Sequence, residues 1–301
     1  MERTVIPSGK ALGAEIFGVD LSAPLSDGDT KFIKDAWGEH LVLLFREQDL
    51  APENLLALVS ALGGVQETGS RKNFEAAGHK AGSARVSAVS GVSYISNLDE
   101  DGKPFLMKKH SSGSQELFWH SDNSYVEVPP SGSFLHSLQV PVDGGGDTSF
   151  VNQYLAYETL PEATKKRIAG LHIKHDNSKN TSGGERPTVS QPQGREDVNG
   201  PVHPIVRIHP ETNKKALYLG RRYKWPSSFV VELGDDESEE LLNELWAHAT
   251  QDSLKWTHSW KPQEGLLWDN RCTMHHRSQA DPTQARVLQR ALVKGAPVIA
   301  A

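Results

Sequence analysis

A histidine and an aspartate separated by one residue are the first candidates for chemistry in this 301-residue chain. They are His120 and Asp122, in the segment Phe-Trp-His-Ser-Asp at 118–122. If this segment is a strand, residues two apart face the same side, so that the imidazole and the carboxylate point at one place. A second histidine would complete a set that leaves positions open on an octahedral ion, as in non-haem iron sites. The pair alone is weak evidence, because a chain with 13 histidines often contains such a spacing by chance.

Two arginines near the end of the sequence form a second candidate site, this one for anions. Residues 287–293 are predicted to form a strand, on which Arg286 and Arg290 point to the same side by period two. If that side faces the interior, both charges are buried and need partners. No acidic run lies nearby in the sequence, so anionic ligands are natural partners, and a planar guanidinium suits bidentate binding of a carboxylate or sulfonate. The alternative is a solvent-facing strand whose arginines make surface ion pairs.

The elements that must position these residues are mostly strands with long interruptions. Hydrophobic patterns predict strands at 14–19, 41–46, 92–98, 133–140, 202–208, 215–219, 266–268 and 287–293. They predict helices at 27–39, 52–62, 152–160, 161–168 and 235–250. Strand and helix do not alternate regularly, and there is no dinucleotide or P-loop motif. The sequence therefore favours a mainly β fold with flanking helices, either a sandwich or a jelly roll.

Composition narrows the class of protein and the kind of metal site. The single cysteine, Cys272, excludes an intramolecular disulfide and a cysteine-based zinc site, which leaves imidazole and carboxylate as metal ligands. The net charge of −6 argues against nucleic acid as a partner. The longest apolar run, at 41–45, is too short to span a bilayer, and the first residues lack the apolar core of a signal peptide. A cytoplasmic protein without a membrane partner is expected.

Two long segments without hydrophobic periodicity interrupt the predicted elements. Residues 63–85 are rich in Gly, Ser, Ala and Lys and are predicted to form a mobile loop. Residues 176–201 are polar, and they are either a lid over a site or a plain surface insertion. Because neither an internal repeat nor a domain linker is evident, residues 1–301 are expected to form one domain containing both loops.

Several motifs together resemble the taurine dioxygenase family, which includes the phenoxyacetate herbicide dioxygenases. The pattern W-H-x-D at 119–122 is followed far downstream by W-D-N-R-x-T-x-H at 268–275. Shorter matches are L-G-A-E-I-F-G-V-D-L at 12–21, P-P at 129–130, G-G-D-T at 145–148 and V-H-P-I-V at 202–206. The resemblance spans nearly the whole chain. It implies a double-stranded β-helix (jelly roll) and an enzyme that uses Fe(II) with 2-oxoglutarate and O2 as co-substrates.

The resemblance also implies which residues bind the metal and the co-substrate. It assigns the metal to His120, Asp122 and His275, and it prefers His275 to the histidine that follows it. It assigns the distal carboxylate of 2-oxoglutarate to Thr148 and to Arg286, which stands eleven residues after His275 as the family pattern requires.

For the primary substrate the resemblance is less specific. Arg290, fifteen residues after the distal histidine, matches an arginine that the family often uses for the substrate's anionic group. Tyr125 and Tyr223 fall where the family places aromatic residues around the substrate, and core packing is the equal alternative for both. Glu116 and Thr68 stand where taurine enzymes have an asparagine and a histidine that help to hold the substrate. These two departures put taurine itself in doubt.

The function expected from these residues is hydroxylation of a small anionic organic substrate, with release of succinate and CO2. The substrate could be a sulfonate, an aryloxyalkanoate or another carboxylate. Two alternatives stay open: an inactive jelly-roll protein that binds a small molecule, and a metal-dependent hydrolase. Suitable residues at all five cofactor positions argue against the first, and a hydrolase leaves the arginines and Thr148 without a role. A homo-oligomer, dimer or tetramer, is also expected, because relatives often form one.

Overall fold

The structure is a computed structural model that describes residues 2–67, 78, 80–83, 86–104, 114–142, 144–186 and 189–301. Its helices are α1 (Asp27–His40), α2 (Pro52–Leu62), α3 (Gln153–Glu158), α4 (Glu162–Ile168) and α5 (Asp235–Ala249). Its strands are β1 (Thr4–Pro7), β2 (Ala14–Phe17), β3 (Val42–Phe45), β4 (Val92–Ser96), β5 (Leu117–His120), β6 (Gly132–Gln139), β7 (Thr148–Asn152), β8 (His172–Lys174), β9 (Val202–Pro204), β10 (Val206–Ile208), β11 (Lys215–Leu217), β12 (Phe229–Val230), β13 (Lys255–His258), β14 (Gly265–Asp269), β15 (Thr273–Arg277), β16 (Val287–Val293) and β17 (Ile299–Ala300).

Two sheets that pack against each other form the centre of the fold. The larger has seven strands in the order β1-β2-β3-β14-β6-β16-β4, and the smaller has four in the order β13-β7-β15-β5. Apolar side chains fill the space between them, and Phe150 of the small sheet packs on Trp268 of the large one at 5.5 Å between ring centroids. The remaining strands form two separate three-stranded sheets, in the orders β11-β10-β17 and β12-β8-β9.

Alternation along the central strands separates an inner face from a helix-covered face. On β3, Val42 and Leu44 belong to the layer between the sheets, whereas Leu43 and Phe45 pack in the cluster that contains α1 and α2. Period-two alternation produces this division, because successive side chains on a strand point to opposite faces. The large sheet is therefore apolar on both faces, which explains its continuous hydrophobic runs.

The predicted helices agree closely with the observed ones. Ser26 caps α1 by accepting a hydrogen bond from the Asp29 backbone N–H, and Pro52 begins α2 at a position where its missing N–H costs nothing. The apolar stripe of α5 is buried, and the acidic residues in its first turn suit the positive end of the helix dipole. Within the described ranges, no helix has the length and hydropathy needed to cross a membrane.

The prediction of a single strand at 202–208 is wrong. The segment forms two strands, β9 and β10, which belong to different three-stranded sheets. Pro204 ends β9, and because proline has no N–H it cannot extend a hydrogen-bonded ladder.

The first of the two predicted loops, at 63–85, lies mostly outside the described residues, so the prediction of a mobile loop there stays a prediction. The other, at 176–201, carries a single 3₁₀ turn, Arg195–Asp197, among its described residues. This agrees with its polar, aperiodic sequence.

Candidate active site

The three residues predicted to hold a metal come together between the sheets. Asp122 Oδ1 lies 3.6 Å from His120 Nε2 and 3.9 Å from His275 Nε2. Two ligand atoms on one ion with bonds of about 2.1 Å are at most roughly 4.2 Å apart, so both distances suit a shared ion. All three side chains are buried, and their candidate ligand atoms lie within 4.8 Å of one another.

Strand pairing brings the two histidines together. His120 is the last residue of β5, and its direct partner across the ladder is His275 on β15. Directly opposed residues point to the same face of a sheet, and the two imidazole rings are 4.0 Å apart between centroids. His276, the next residue on β15, therefore points the other way.

Asp122 reaches the site by a different route from the one that the sequence predicted. Strand β5 ends at His120, so the explanation by strand alternation is wrong, and Asp122 lies in the turn that follows. Asn270 braces this turn: its Oδ1 accepts a hydrogen bond from the Asp122 N–H at 2.6 Å, and its Nδ2 donates to the Asp122 carbonyl at 2.9 Å. The asparagine of the W-D-N-R motif thus positions a proposed metal ligand on a distant segment.

Hydrogen bonds leave the correct atoms free for a metal. His120 Nδ1 lies 2.7 Å from the Phe118 carbonyl, which can only accept, so Nδ1 carries the proton and Nε2 keeps its lone pair. Asp122 Oδ2 accepts a hydrogen bond from Ser133 Oγ at 2.7 Å, which leaves Oδ1 to face the histidines. A neutral imidazole and an ionised carboxylate are the forms that bind metals, and this donor set suits iron(II).

Burial and the neighbouring charges together favour those same protonation states. Burial lowers the pKa of His120 and holds that of His275 well below its usual value, and it outweighs the Asp122 carboxylate, which acts in the opposite direction on both imidazoles. For Asp122, burial alone would raise the pKa. The guanidinium of Arg290 and the two imidazoles outweigh burial and hold the pKa well below its usual range.

Arg286 is a buried cation with open donors. Its Nη2 donates to the Gly146 carbonyl at 3.1 Å, while its Nε and Nη1 have no hydrogen-bond partner among the described residues. A Cβ at Gly146 would lie 2.6 Å from Arg286 Nε, so glycine is what allows this close approach. Burial lowers the pKa of Arg286 to about 10, which still leaves it charged at neutral pH. A buried charge of this kind needs an anionic ligand.

Thr148 and a second buried arginine lie beside Arg286. Thr148 on β7 is directly opposite Arg277 on β15, and Trp260 Nε1 donates to Thr148 Oγ1 at 2.9 Å. Burial, together with the charge of Arg286, holds the pKa of Arg277 well below its usual value. Arg277 was not predicted from the sequence, although it stands two residues after His275 and strand alternation places the two on the same face.

The predicted substrate residues Arg290 and Tyr125 lie near Asp122 and near each other. Arg290 Nη1 is 3.5 Å from Asp122 Oδ1. The ring of Tyr125 has two guanidinium groups close to its centroid, that of Arg186 at 4.0 Å and that of Arg221 at 4.3 Å. Burial would raise the pKa of Tyr125, but the charges of Arg221 and Arg186 outweigh it and lower the pKa. Neither of these two arginines was singled out from the sequence.

The remaining predicted substrate residues are less close to the triad. The Tyr223 hydroxyl donates to the Asn180 carbonyl at 2.6 Å, in the 176–201 segment. Glu116 is not brought to the triad: it is half exposed, and its carboxylate lies 2.6 Å from His276 Nε2. Because His276 and His275 alternate on one strand, this pair faces away from Asp122. Thr68 lies outside the described residues.

A second cluster has metal-binding residue types but is already paired. His209, Asp269 and Cys272 lie close together and are buried. Both carboxylate oxygens of Asp269, however, accept hydrogen bonds from Arg271, and Oδ2 is also 3.0 Å from His209 Nε2. The cluster is therefore a buried ion pair that fixes the turn between β14 and β15, and Cys272 is part of the packing there.

Residues 4–292 match the sequence model of the taurine catabolism dioxygenase TauD, TfdA family. The chain belongs to this family. An alkylsulfatase from Acinetobacter baylyi is 32% identical over 294 residues, covering 94% of this chain and 82% of that protein. An (S)-phenoxypropionate/alpha-ketoglutarate-dioxygenase from Sphingobium herbicidovorans is 30% identical over 298 residues, covering 97% and 95%. The crystal structure of AAD-2 with Mn(II) and N-oxalylglycine superimposes with a TM-score of 0.80 at 26% identity and covers all of both chains.

Family membership confirms four of the predictions from the sequence. The first two are the jelly-roll fold and the enzyme class, a 2-oxoglutarate-dependent dioxygenase. The other two are the cofactor, Fe(II), and the co-substrates, 2-oxoglutarate and O2. The His-Asp-His cluster supplies a donor set that fits the iron.

Proposed function

We propose that the enzyme hydroxylates a small anionic organic substrate, with His120, Asp122 and His275 holding the iron. The observation that carries this proposal is the position of Asp122 Oδ1, which faces two imidazole nitrogens and lies 3.5 Å from the Arg290 guanidinium. The same oxygen, Asp122 Oδ1, thus lies next to the proposed metal position and next to the guanidinium that would bind the substrate. When bound, iron, 2-oxoglutarate and O2 supply the oxidant for C–H hydroxylation and release succinate and CO2.

Arg286 and Thr148 would bind the distal carboxylate of 2-oxoglutarate. The guanidinium has two unpaired donors, and charge-assisted hydrogen bonds from a buried arginine are among the stronger protein contacts. The Thr148 hydroxyl is also available, because its oxygen accepts from the Trp260 indole and its proton is left to donate. The two residues would orient the co-substrate without moving a proton.

Arg290 would anchor the anionic group of the primary substrate. Its guanidinium adjoins the proposed metal ligands, so an anion held there places the neighbouring C–H bonds of the substrate near the iron. The relatives include enzymes named for phenoxypropionate and alkyl sulfates, which carry a carboxylate or a sulfate ester. We include sulfonates, sulfate esters and aryloxyalkanoates as candidate substrate classes.

The first test compares a proposed metal ligand with a histidine that faces away from the triad. His120→Ala should abolish succinate formation from 2-oxoglutarate, a loss on the order of 100-fold or more, because one of three metal ligands is gone. The same variant should lose the weak visible absorption of the anaerobic protein with Fe(II) and 2-oxoglutarate. His276→Ala is the matched control, since His276 faces away from the triad, and it should keep both signals.

Two outcomes of that test would contradict the proposal. Wild-type protein that binds Fe(II) and 2-oxoglutarate but forms no succinate under air, with any anion of a broad screen, would indicate a binding protein. Equal loss in both histidine variants would mean that the loss at His120 is not specific to a metal ligand, and it would contradict the proposed site.

A further inference from the structure

Two arginines beside the proposed iron site have no role in the function proposed above. Arg186 comes from the 176–201 segment, and Arg221 follows β11 and forms an isolated bridge with His120. Their guanidinium groups lie 4.0 and 4.3 Å from the centre of the Tyr125 ring. We refer to Arg186, Arg221 and Tyr125 as the arginine–tyrosine cluster.

No carboxylate among the described residues forms an ion pair with the two arginines of this cluster. Each donates instead to the Lys179 carbonyl, at 3.3 Å from Arg186 and 3.2 Å from Arg221. Arg221 is 5% exposed, and its Nε has no hydrogen-bond partner among the described residues.

The carboxylate that acts on Arg221 is shared with other groups. This carboxylate, Asp122, also faces Arg290 and the two histidines of the triad. Stacking on a phenol ring contributes about 0.5–2 kcal/mol, which is less than the cost of burying a cation such as Arg221. Arg186 adds a second, partly exposed cation at the same ring, so an anionic ligand would be a natural partner for both.

We propose that Arg186, Arg221 and Tyr125 form a second anion subsite next to Arg290, so that the primary substrate carries two negative charges. This inference rests on the proposed function, because it concerns the substrate of the same site. The two charges are on one doubly ionised group, such as a phosphate monoester, or on two separate groups, such as a sulfonate and a carboxylate. In both cases the subsite is electrostatic, and it favours a dianion over a monoanion of the same shape.

The test measures binding rather than turnover, with the co-substrate site already filled. Protein is loaded with Mn(II) and N-oxalylglycine, so that added anions cannot occupy Arg286, and ligand affinities are then measured by calorimetry at pH 8. Phenyl phosphate, a dianion, is compared with its near-isostere phenyl sulfate, a monoanion. 4-Sulfobenzoate is compared with benzenesulfonate in the same way. At least one dianion should bind about 10-fold or more tightly than its partner.

Two variants connect this preference to the cluster. Arg186→Gln, at a partly exposed position, should reduce the preference to about 2-fold or less, because it weakens the binding of phenyl phosphate more than that of phenyl sulfate. Arg221→Met should also reduce the preference for the dianion, and it tests the buried arginine of the cluster. Arg222→Gln is the matched control, because Arg222 is paired with Glu239 and should not affect the preference.

The outcomes separate this inference from the function on which it rests. A preference for phenyl phosphate alone supports one doubly charged group, and a preference for 4-sulfobenzoate alone supports two separate groups. Equal affinities within both pairs would overturn the inference, as would a preference that persists in both cluster variants. Failure of the wild type to bind N-oxalylglycine would instead contradict the proposed co-substrate site.

Discussion

At the scale of single residues, the direction of one hydrogen bond decides what Thr148 can do. An indole N–H only donates, so the bond from Trp260 makes the Thr148 oxygen an acceptor and leaves its proton for a ligand. Trp260 is therefore a positioning residue for the proposed co-substrate site, although it need not touch 2-oxoglutarate.

We expect Trp260→Phe to raise the KM for 2-oxoglutarate by about 2- to 10-fold with little change in kcat, because one oriented neutral hydrogen bond is weakened. Steady-state kinetics of succinate release would measure it. A double-mutant cycle with Thr148→Val supplies the control: once the hydroxyl is gone, Trp260→Phe should have little additional effect. Fully additive effects would contradict the role of Trp260.

At the scale of elements, the site depends on a brace between two turns. Asn270, in the turn between β14 and β15, bonds to both backbone groups of Asp122 and to the Pro130 carbonyl. The brace transmits the position of the β14–β15 turn to the turn after β5, which no strand pairing holds.

Asn270→Ala should destabilise the protein by roughly 2–4 kcal/mol and weaken Mn(II) binding by about 10- to 100-fold. Urea unfolding and a metal titration would measure the two effects separately. Asn152→Ala is the control, because Asn152 also makes three hydrogen bonds, to the Tyr154 and Leu155 backbone N–H groups and to the Ala11 carbonyl. Equal weakening of metal binding in both variants would mean that lower stability alone weakens metal binding, and it would contradict a specific role of Asn270.

Period-two alternation predicted the site well wherever a residue lies inside a strand. On β16 it gave Arg290 the same face as Leu288, which packs between the sheets, and on β15 it separated His275 from His276. Arg286 lies just before β16 and is buried. Alternation failed for Asp122, which lies in a turn that side-chain hydrogen bonds hold in place. The elements themselves were predicted from hydrophobic runs, so a short strand without such a run, such as β13, was missed.

Other parts of the site depend on contacts that a sequence does not record. Arg186 and Arg221 come from separate segments without helical or strand periodicity, and they converge only because both contact Tyr125 and the Lys179 carbonyl. Reasoning from single residues therefore predicted Arg290 and Tyr125 at the substrate and missed the two arginines beside Tyr125.

At the scale of the whole molecule, buried neutral histidines couple stability to pH. Burial lowers the pKa of five histidines in the native state: His120, His136, His175, His203 and His275. His136 illustrates the cause, because Gln289 donates to its Nδ1 at 3.0 Å and its Nε2 lies 2.7 Å from the Gln48 carbonyl. A second ring proton would break the first of these bonds.

The metal-free protein should therefore lose stability as the pH falls below about 6.5. The unfolded chain takes up protons there and the native state does not, so the unfolded state is favoured by at most about 1.4 kcal/mol per histidine and pH unit. We expect the free energy of unfolding in urea to be roughly 2–4 kcal/mol lower at pH 5.5 than at pH 7.5. Carboxylates with a lowered pKa, such as Asp122, keep their contribution to the free energy of unfolding in this range and lose it only at lower pH. Equal stability at both pH values would contradict this explanation.

The predictions of one domain over residues 1–301, of a dimer or tetramer and of a cytoplasmic location stay predictions. Size-exclusion chromatography with light scattering would test the second of these directly.

The pairing of β15 between β7 and β5 has a consequence for how the protein acquires its metal during synthesis. His275 leaves the ribosome about 150 residues after Asp122, roughly 8–30 s later at usual translation rates. Until β15 inserts into the small sheet, a nascent chain offers only two of the three proposed ligands. The complete set of proposed ligands therefore exists only after β15 has been synthesised and has paired with β7 and β5.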